Sequence, residues 1–146
     1  MSNYQDGDFD TRYGVIHVRN PGSFQVGNLQ TYQQTASRFV QLQGPALRAF
    51  KAAEERCATR RKKHILITGV GYRSYEQQGA LYRSPENIGG RYADPDGSLH
   101  VEALAVDVDQ GQGYLRLRTI RKALEAEGWH YGVSGEPWHA SFRLSG

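Results

Sequence analysis

Cysteine is almost missing from the chain: Cys57 stands alone among 146 residues. A single thiol closes no internal disulfide, and without a CxxC pair there is no thiolate metal site. Cys57 falls inside a helical pattern with nothing near it in sequence to activate a thiolate, so it reads as a small, semi-buried helix residue. Long apolar runs are missing as well. No stretch approaches the roughly 18 apolar residues of a membrane span, which argues against membrane insertion by a helix. The opening Met1-Ser2-Asn3-Tyr4-Gln5-Asp6-Gly7-Asp8 carries neither the basic region nor the apolar stretch of a signal peptide. The expectation is a protein made in a cytoplasm that stays there until something else releases it. Nor is charge of one sign in large excess: 18 Lys and Arg against 15 Asp and Glu leave a net +3. The one dense basic run, Arg60-Arg61-Lys62-Lys63, falls at the end of a predicted helix, where cations favour the dipole. It reads as a solvated helix end, the alternative being attraction to an anionic polymer such as the cell wall or to nucleic acid. No recognisable nucleic-acid-binding module accompanies it, so nucleic acid is not an expected partner.

What is present describes one loop-rich domain. A hydrophobic share of 38% with 17 glycines and 9 tyrosines suits an α+β fold better than a helical bundle. The fold expected is a small, mainly antiparallel sheet with helices packed on one side. Residues 1–28 are polar and glycine-rich, an N-terminal arm with a β-like stretch Val15-Ile16-His17-Val18 and a turn signal at Asn20-Pro21-Gly22. His17 reads there as an exposed strand residue. The main domain is expected over 29–146. From Leu29 to Thr59 the apolar spacing reads as helical, broken at Gly44-Pro45, where proline suits the first turn of a second helix with Leu47, Phe50, Ala53 and Ala58 facing inward. His64 to Gly71 reads as a buried strand. Ser74 with Gln77 three residues on forms a capping-box signature for a helix through Leu81. Pro85, Gly89, Gly90, Pro95 and Gly97 make 83–97 a loop, of a length that in compact domains is often functional. Leu117, Ile120, Ala123 and Leu124 mark an amphipathic helix stopped at Gly128. Trp129, Tyr131 and Val133 suggest a short strand on which His130 faces solvent.

The chemistry concentrates in a split constellation: Ser98-Leu99-His100-Val101-Glu102-Ala103-Leu104-Ala105-Val106-Asp107, then Glu136-Pro137-Trp138-His139. It offers two histidines and an aspartate able to take a metal, and a second carboxylate able to act as a base. Catalytic zinc typically takes three such ligands and leaves a fourth position open for water. Leu104, Val106 and Val108 alternate with Ala105, Asp107 and Asp109, which puts Asp107 on the open face of a half-buried strand. Gly135 and Pro137 flank Glu136, so a turn is expected there, followed by a strand whose alternation turns Trp138, Ala140 and Phe142 away from His139. Taken singly, each of these residues is as well explained by an ordinary structural role.

Together they carry a resemblance. Ser-x-His, a small residue, Ala-x-Asp and a later Glu-Pro-Trp-His resemble the zinc peptidases of peptidoglycan, namely the VanY-type D-alanyl-D-alanine carboxypeptidases and the L-alanyl-D-glutamate peptidases of phage endolysins. Gly71-Tyr72-Arg73-Ser74-Tyr75-Glu76-Gln77-Gln78 with Leu81-Tyr82 is similar to the arginine motif of the same family. The resemblance spans Gly71 to His139, about half the chain. It implies one Zn2+ held by His100, Asp107 and His139, with Glu136 as general base and Arg73 binding substrate and the oxyanion. It implies Gln78, Ser98 and Trp138 as substrate contacts. One departure stands out: Ala103 occupies a position that is usually glycine, which would reshape the turn slightly without removing a ligand.

The function so implied is hydrolysis of a peptidoglycan stem peptide, as the L-alanyl-D-glutamate endopeptidase of an endolysin. The protein would be a monomer, made in a bacterial host cytoplasm and acting on the wall after release. Two alternatives stay open: a D-alanyl-D-alanine carboxypeptidase or dipeptidase, and a non-catalytic, zinc-stabilised wall-binding or virion module. Neither Glu136 nor Arg73 is needed merely to hold zinc, which favours an enzyme.

Overall fold

Short alternating segments separated by helical ones can hide their apolar residues only by laying helices on a sheet. The computed structural model describes residues 6–10, 15–17 and 29–144, and it is an α+β fold of that kind. Along the chain run β1 (Asp6–Asp10), β2 (Val15–His17), β3 (Leu29–Gln33), β4 (Phe39–Gln43), α1 (Gly44–Cys57), β5 (Ile67–Thr68), α2 (Tyr75–Tyr82), β6 (Ala105–Val108), α3 (Tyr114–Ala126), β7 (Trp129–His130) and β8 (His139–Phe142). The central sheet is antiparallel, in the order β5-β6-β8-β7. β1 pairs with β2, and β3 with β4, as separate antiparallel ribbons. Among the described residues no helix is long and apolar enough to cross a membrane.

The core lies between α1, α3 and one face of the sheet. Phe50, Ala53 and Cys57 from α1 and Ile120, Ala123 and Leu124 from α3 pack with Ile67, Val106, Val108, Trp129 and Ala140. Phe50, Ile120, Leu124 and Val106 are fully buried, each side chain contributing about 1.5–3 kcal/mol. Trp129 packs against Phe50 and Phe142 at ring separations of 6.3 and 5.5 Å, joining α1 to β7 and β8 on the core face. Pro45 sits in the first turn of α1, and Ser74 and Gln77 complete both halves of a capping box on α2. α3 ends two residues before Gly128, whose φ of 96° only glycine adopts freely.

One expectation fails. Residues 29–43 are not helical but form the β3–β4 ribbon, with Leu29 opposite Gln43 and Gln33 opposite Phe39. Val40 and Leu42 alternate into the core, a period of two that the helical spacing of Leu29 and Tyr32 masked. The connecting turn closes through Gln34 N to Arg38 O at 2.9 Å without the Gly, Pro, Asn or Asp that usually announces a hairpin. Smaller corrections concern ends. Only Ile67 and Thr68 of the 64–71 stretch belong to the sheet, Cys57 rather than Ala58 completes the buried stripe of α1, and the strand from Trp129 ends at His130. The strand expected at 15–18 is β2, whereas Val18, the turn Asn20-Pro21-Gly22 and the side chain of His17 lie outside the described residues.

Candidate metal centre

The register of β6 against β8 brings two of the candidate residues face to face. Val108 N donates to Trp138 O and Phe142 N to Leu104 O, both at 2.8 Å. Alternation along the ladder makes Asp107–His139 a pair without mutual backbone bonds, the type whose side chains approach most closely. Because Val106, Val108 and Ala140 point at the helices, Asp107 and His139 must point the other way. His139 Nδ1 lies 3.1 Å from Asp107 Oδ1.

His100 arrives on a tight turn. The Ser98 hydroxyl accepts from His100 N at 3.2 Å, Ala103 N donates to His100 O at 3.1 Å, and Leu104 N donates to Leu99 O at 3.0 Å. Ala103 closes the turn at φ 57°, a left-handed conformation that residues other than glycine seldom adopt. β4 supports this turn from outside. Gln43 N donates to Ala103 O at 3.0 Å, and its side-chain amide donates to Glu102 O at 2.8 Å. β4 also grips the arginine segment, through Gln41 N to Val70 O at 2.8 Å and Tyr72 N to Gln41 O at 3.1 Å. Arg73 N then donates to His100 O at 3.0 Å, tying the two segments together.

The His100 ring is fixed by a carbonyl. Its Nδ1 lies 2.8 Å from Gly71 O, which can only accept, so Nδ1 carries the proton and Nε2 faces Asp107 Oδ1 at 3.3 Å. A neutral ring so oriented sets a lone pair against a carboxylate, and a cation between them removes the repulsion. That cation is a second proton or a metal ion. Gly71 is held to its type: at φ 93° a Cβ would meet Gln41 O and Ala105 O at 3.3 Å and Leu42 Cδ2 at 3.2 Å.

Burial pushes the Asp107 carboxyl upward, but hydrogen bonds and charge from His100 and His139 outweigh it and hold the group well below the usual carboxylate range. Its second oxygen faces Arg73, whose guanidinium lies 3.8 Å away. Burial lowers the pKa of Arg73, while Asp107 and Tyr92 oppose that shift.

His100, Asp107 and His139 thus converge, with one donor atom from each within 4.8 Å of the others, and can hold one metal ion. Glu136 is half-buried in the turn before β8, closed by His139 N to Glu136 O at 3.1 Å, and its carboxylate has no side-chain partner among the described residues. Trp138 is half-buried at the same turn. Gln78 is 2% exposed, accepts from Arg73 at 2.6 Å and donates to Ala93 O at 2.8 Å, so its amide positions Arg73 and the 83–97 loop. The Ser98 hydroxyl is likewise engaged by the His100 turn. Sequence reasoning missed the Gly71 carbonyl and Gln43; the glycine ahead of the arginine was the available signal for the first.

Compared with protein-family models and with curated proteins, the chain matches none. What the centre does is therefore argued from its geometry and its residue pattern.

Proposed function

We propose that the chain is a zinc-dependent peptidase of peptidoglycan stem peptides, acting as an L-alanyl-D-glutamate endopeptidase of the endolysin type. The observation that carries this reading is the convergence of His100, Asp107 and His139 from a turn and two strands, with His100 locked on the Gly71 carbonyl. The donor set fits zinc. Tetrahedral zinc with bonds of about 2.0–2.1 Å needs ligand atoms about 3.3 Å apart, and the Asp107 oxygen lies 3.3 and 3.1 Å from the two imidazole nitrogens. A ring held through Nδ1 by a carbonyl is the usual outer support of a zinc-binding histidine.

When bound, zinc supplies Lewis-acid polarisation of the scissile carbonyl and acidifies water. The chain's residues do the rest. The free Glu136 carboxylate takes the proton of the attacking water and passes it to the leaving amine nitrogen as the C–N bond breaks. Arg73, braced by Gln78, donates to the developing oxyanion or to a substrate carboxylate. His100 and His139 would offer the ion the nitrogens that face Asp107.

Mass spectrometry of fragments released from purified peptidoglycan by the zinc-loaded protein tests the reading, with a chelated sample alongside. New amino termini on D-glutamate or its amide are expected. Free D-alanine would move the assignment to a carboxypeptidase, and no metal-dependent product from any wall type would leave a zinc-stabilised binding module. Glu136→Ala should lower turnover by about 10²- to 10⁴-fold while zinc content, measured by elemental analysis, is unchanged.

A further inference from the structure

A cavity of about 420 Å³ opens where the β5–β6 ladder ends, its lining including Arg61, Lys62, Lys63, His64, Asp109 and Arg116. None of the metal-competent residues lines it. Asp109 N donates to Leu66 O at 2.9 Å, two ladder positions beyond the Asp107–Thr68 pair.

Its frame is rigid. Arg116 is 8% exposed and donates to Cys57 O, and to Lys62 O and His64 O at 3.4 Å, fixing the segment after α1 against the start of α3. The Gln112 amide is spent on both backbone groups of Leu66 and on Asp109 O. His64 is turned toward the buried Glu54, which also accepts from Tyr32 and Gln34. Against this frame Arg61, Lys62 and Lys63 are exposed, and among the described residues their side chains make no ion pair or hydrogen bond. Elsewhere Arg56 pairs with Glu127 and Arg121 with Glu125. The lining therefore holds four cationic side chains against the single carboxylate of Asp109.

We propose that this cavity binds a phosphate group, as free phosphate or as a unit of a phosphate-bearing polymer. Free lysine ammoniums on a preformed wall are point-charge donors suited to a doubly charged anion. No Phe, Tyr or Trp lines the cavity, and its one ring, the His64 imidazole, is held on Glu54, so the lining offers little stacking platform for a nucleobase. The inference is independent of the zinc reading.

The test is a titration of the ¹⁵N-labelled full chain with inorganic phosphate, short-chain polyphosphate and a DNA oligonucleotide, at ionic strength near 0.15 M. Amide shifts are expected at 61–66 and 109–112, with Lys62→Gln/Lys63→Gln weakening binding about tenfold or more. Arg118→Gln/Lys122→Gln removes the same charge from exposed positions outside the cavity and should change affinity by less than about twofold. Asp107→Asn should leave phosphate binding intact. Tighter binding of polyphosphate would identify the polymer as the source, and equal affinity free phosphate. Equal loss in both double variants, shifts centred on His100 and His139, no binding, or a preference for DNA would each overturn the proposal.

Discussion

At the scale of the residue, Asp107 is where two opposed effects meet. Desolvation raises its carboxyl pKa, yet bonds from two imidazoles lower it, and the second effect wins. A group with a depressed folded pKa stabilises the protein above its unfolded value, about 3.9 for aspartate, and that stability is lost as pH falls through the folded value. In chelated protein, wild type should therefore exceed Asp107→Asn by about 1–3 kcal/mol in urea unfolding at pH 5 to 6. The gap should close as pH drops below about 4. A gap that widened on acidification would show desolvation in control. Gln78 tests positioning in the same way. Its amide bridges Arg73 to Ala93, so Gln78→Leu frees the guanidinium without touching a metal donor. Turnover should fall about 10- to 100-fold with zinc content unchanged, and Gln78→Glu, which restores the acceptor, should recover part of kcat. Loss of zinc in Gln78→Leu would make the residue a structural support of the whole centre instead.

At the scale of the element, β4 and the segment around Gly71 decide whether the centre assembles. Gly71 combines a positive φ, close backbone oxygens and the carbonyl that orients His100. Gly71→Ala should lower zinc affinity about 10- to 100-fold, the usual effect of disturbing an outer support. Competition with a chromophoric chelator measures it; unchanged affinity would mean that the carbonyl is not what orients the ring. This is also where legibility divided. The alternation on β6 and β8 announced which way Asp107 and His139 point, because each strand's apolar partners are short, regular and buried. Ser74 and Gln77 announced α2 because a capping box is a local device that needs no tertiary partner. The β3–β4 ribbon was not legible. Its glutamines favour helix as readily as strand, its turn lacks Gly, Pro, Asn and Asp, and its support of Ala103 and Val70 is visible only after folding. The positive φ at Ala103 was not legible either, because alanine gives no local signal for a left-handed turn.

At the scale of the whole molecule, the centre joins a turn, two strands and, through Gly71, the segment leading to α2, all on the side of the sheet away from the α1–α3 core. The core is complete without an ion, so the chelated chain should stay folded. Metal binding adds its linkage free energy to that of the core, because the donors converge only in the folded state. At free zinc 100 times the dissociation constant the gain is about 2.7 kcal/mol. For a chain of this length 1 kcal/mol moves Tm by about 2–4 °C, so saturation should raise Tm by about 5–10 °C. Differential scanning calorimetry with and without chelator reads the shift. His100→Ala and Asp107→Ala should abolish it, whereas Glu136→Ala, which removes no ligand, should keep it in full. A shift that survived in His100→Ala would take that residue off the ligand set, and a chelated wild type with no cooperative transition would make the ion a condition of folding and not an addition to a finished core.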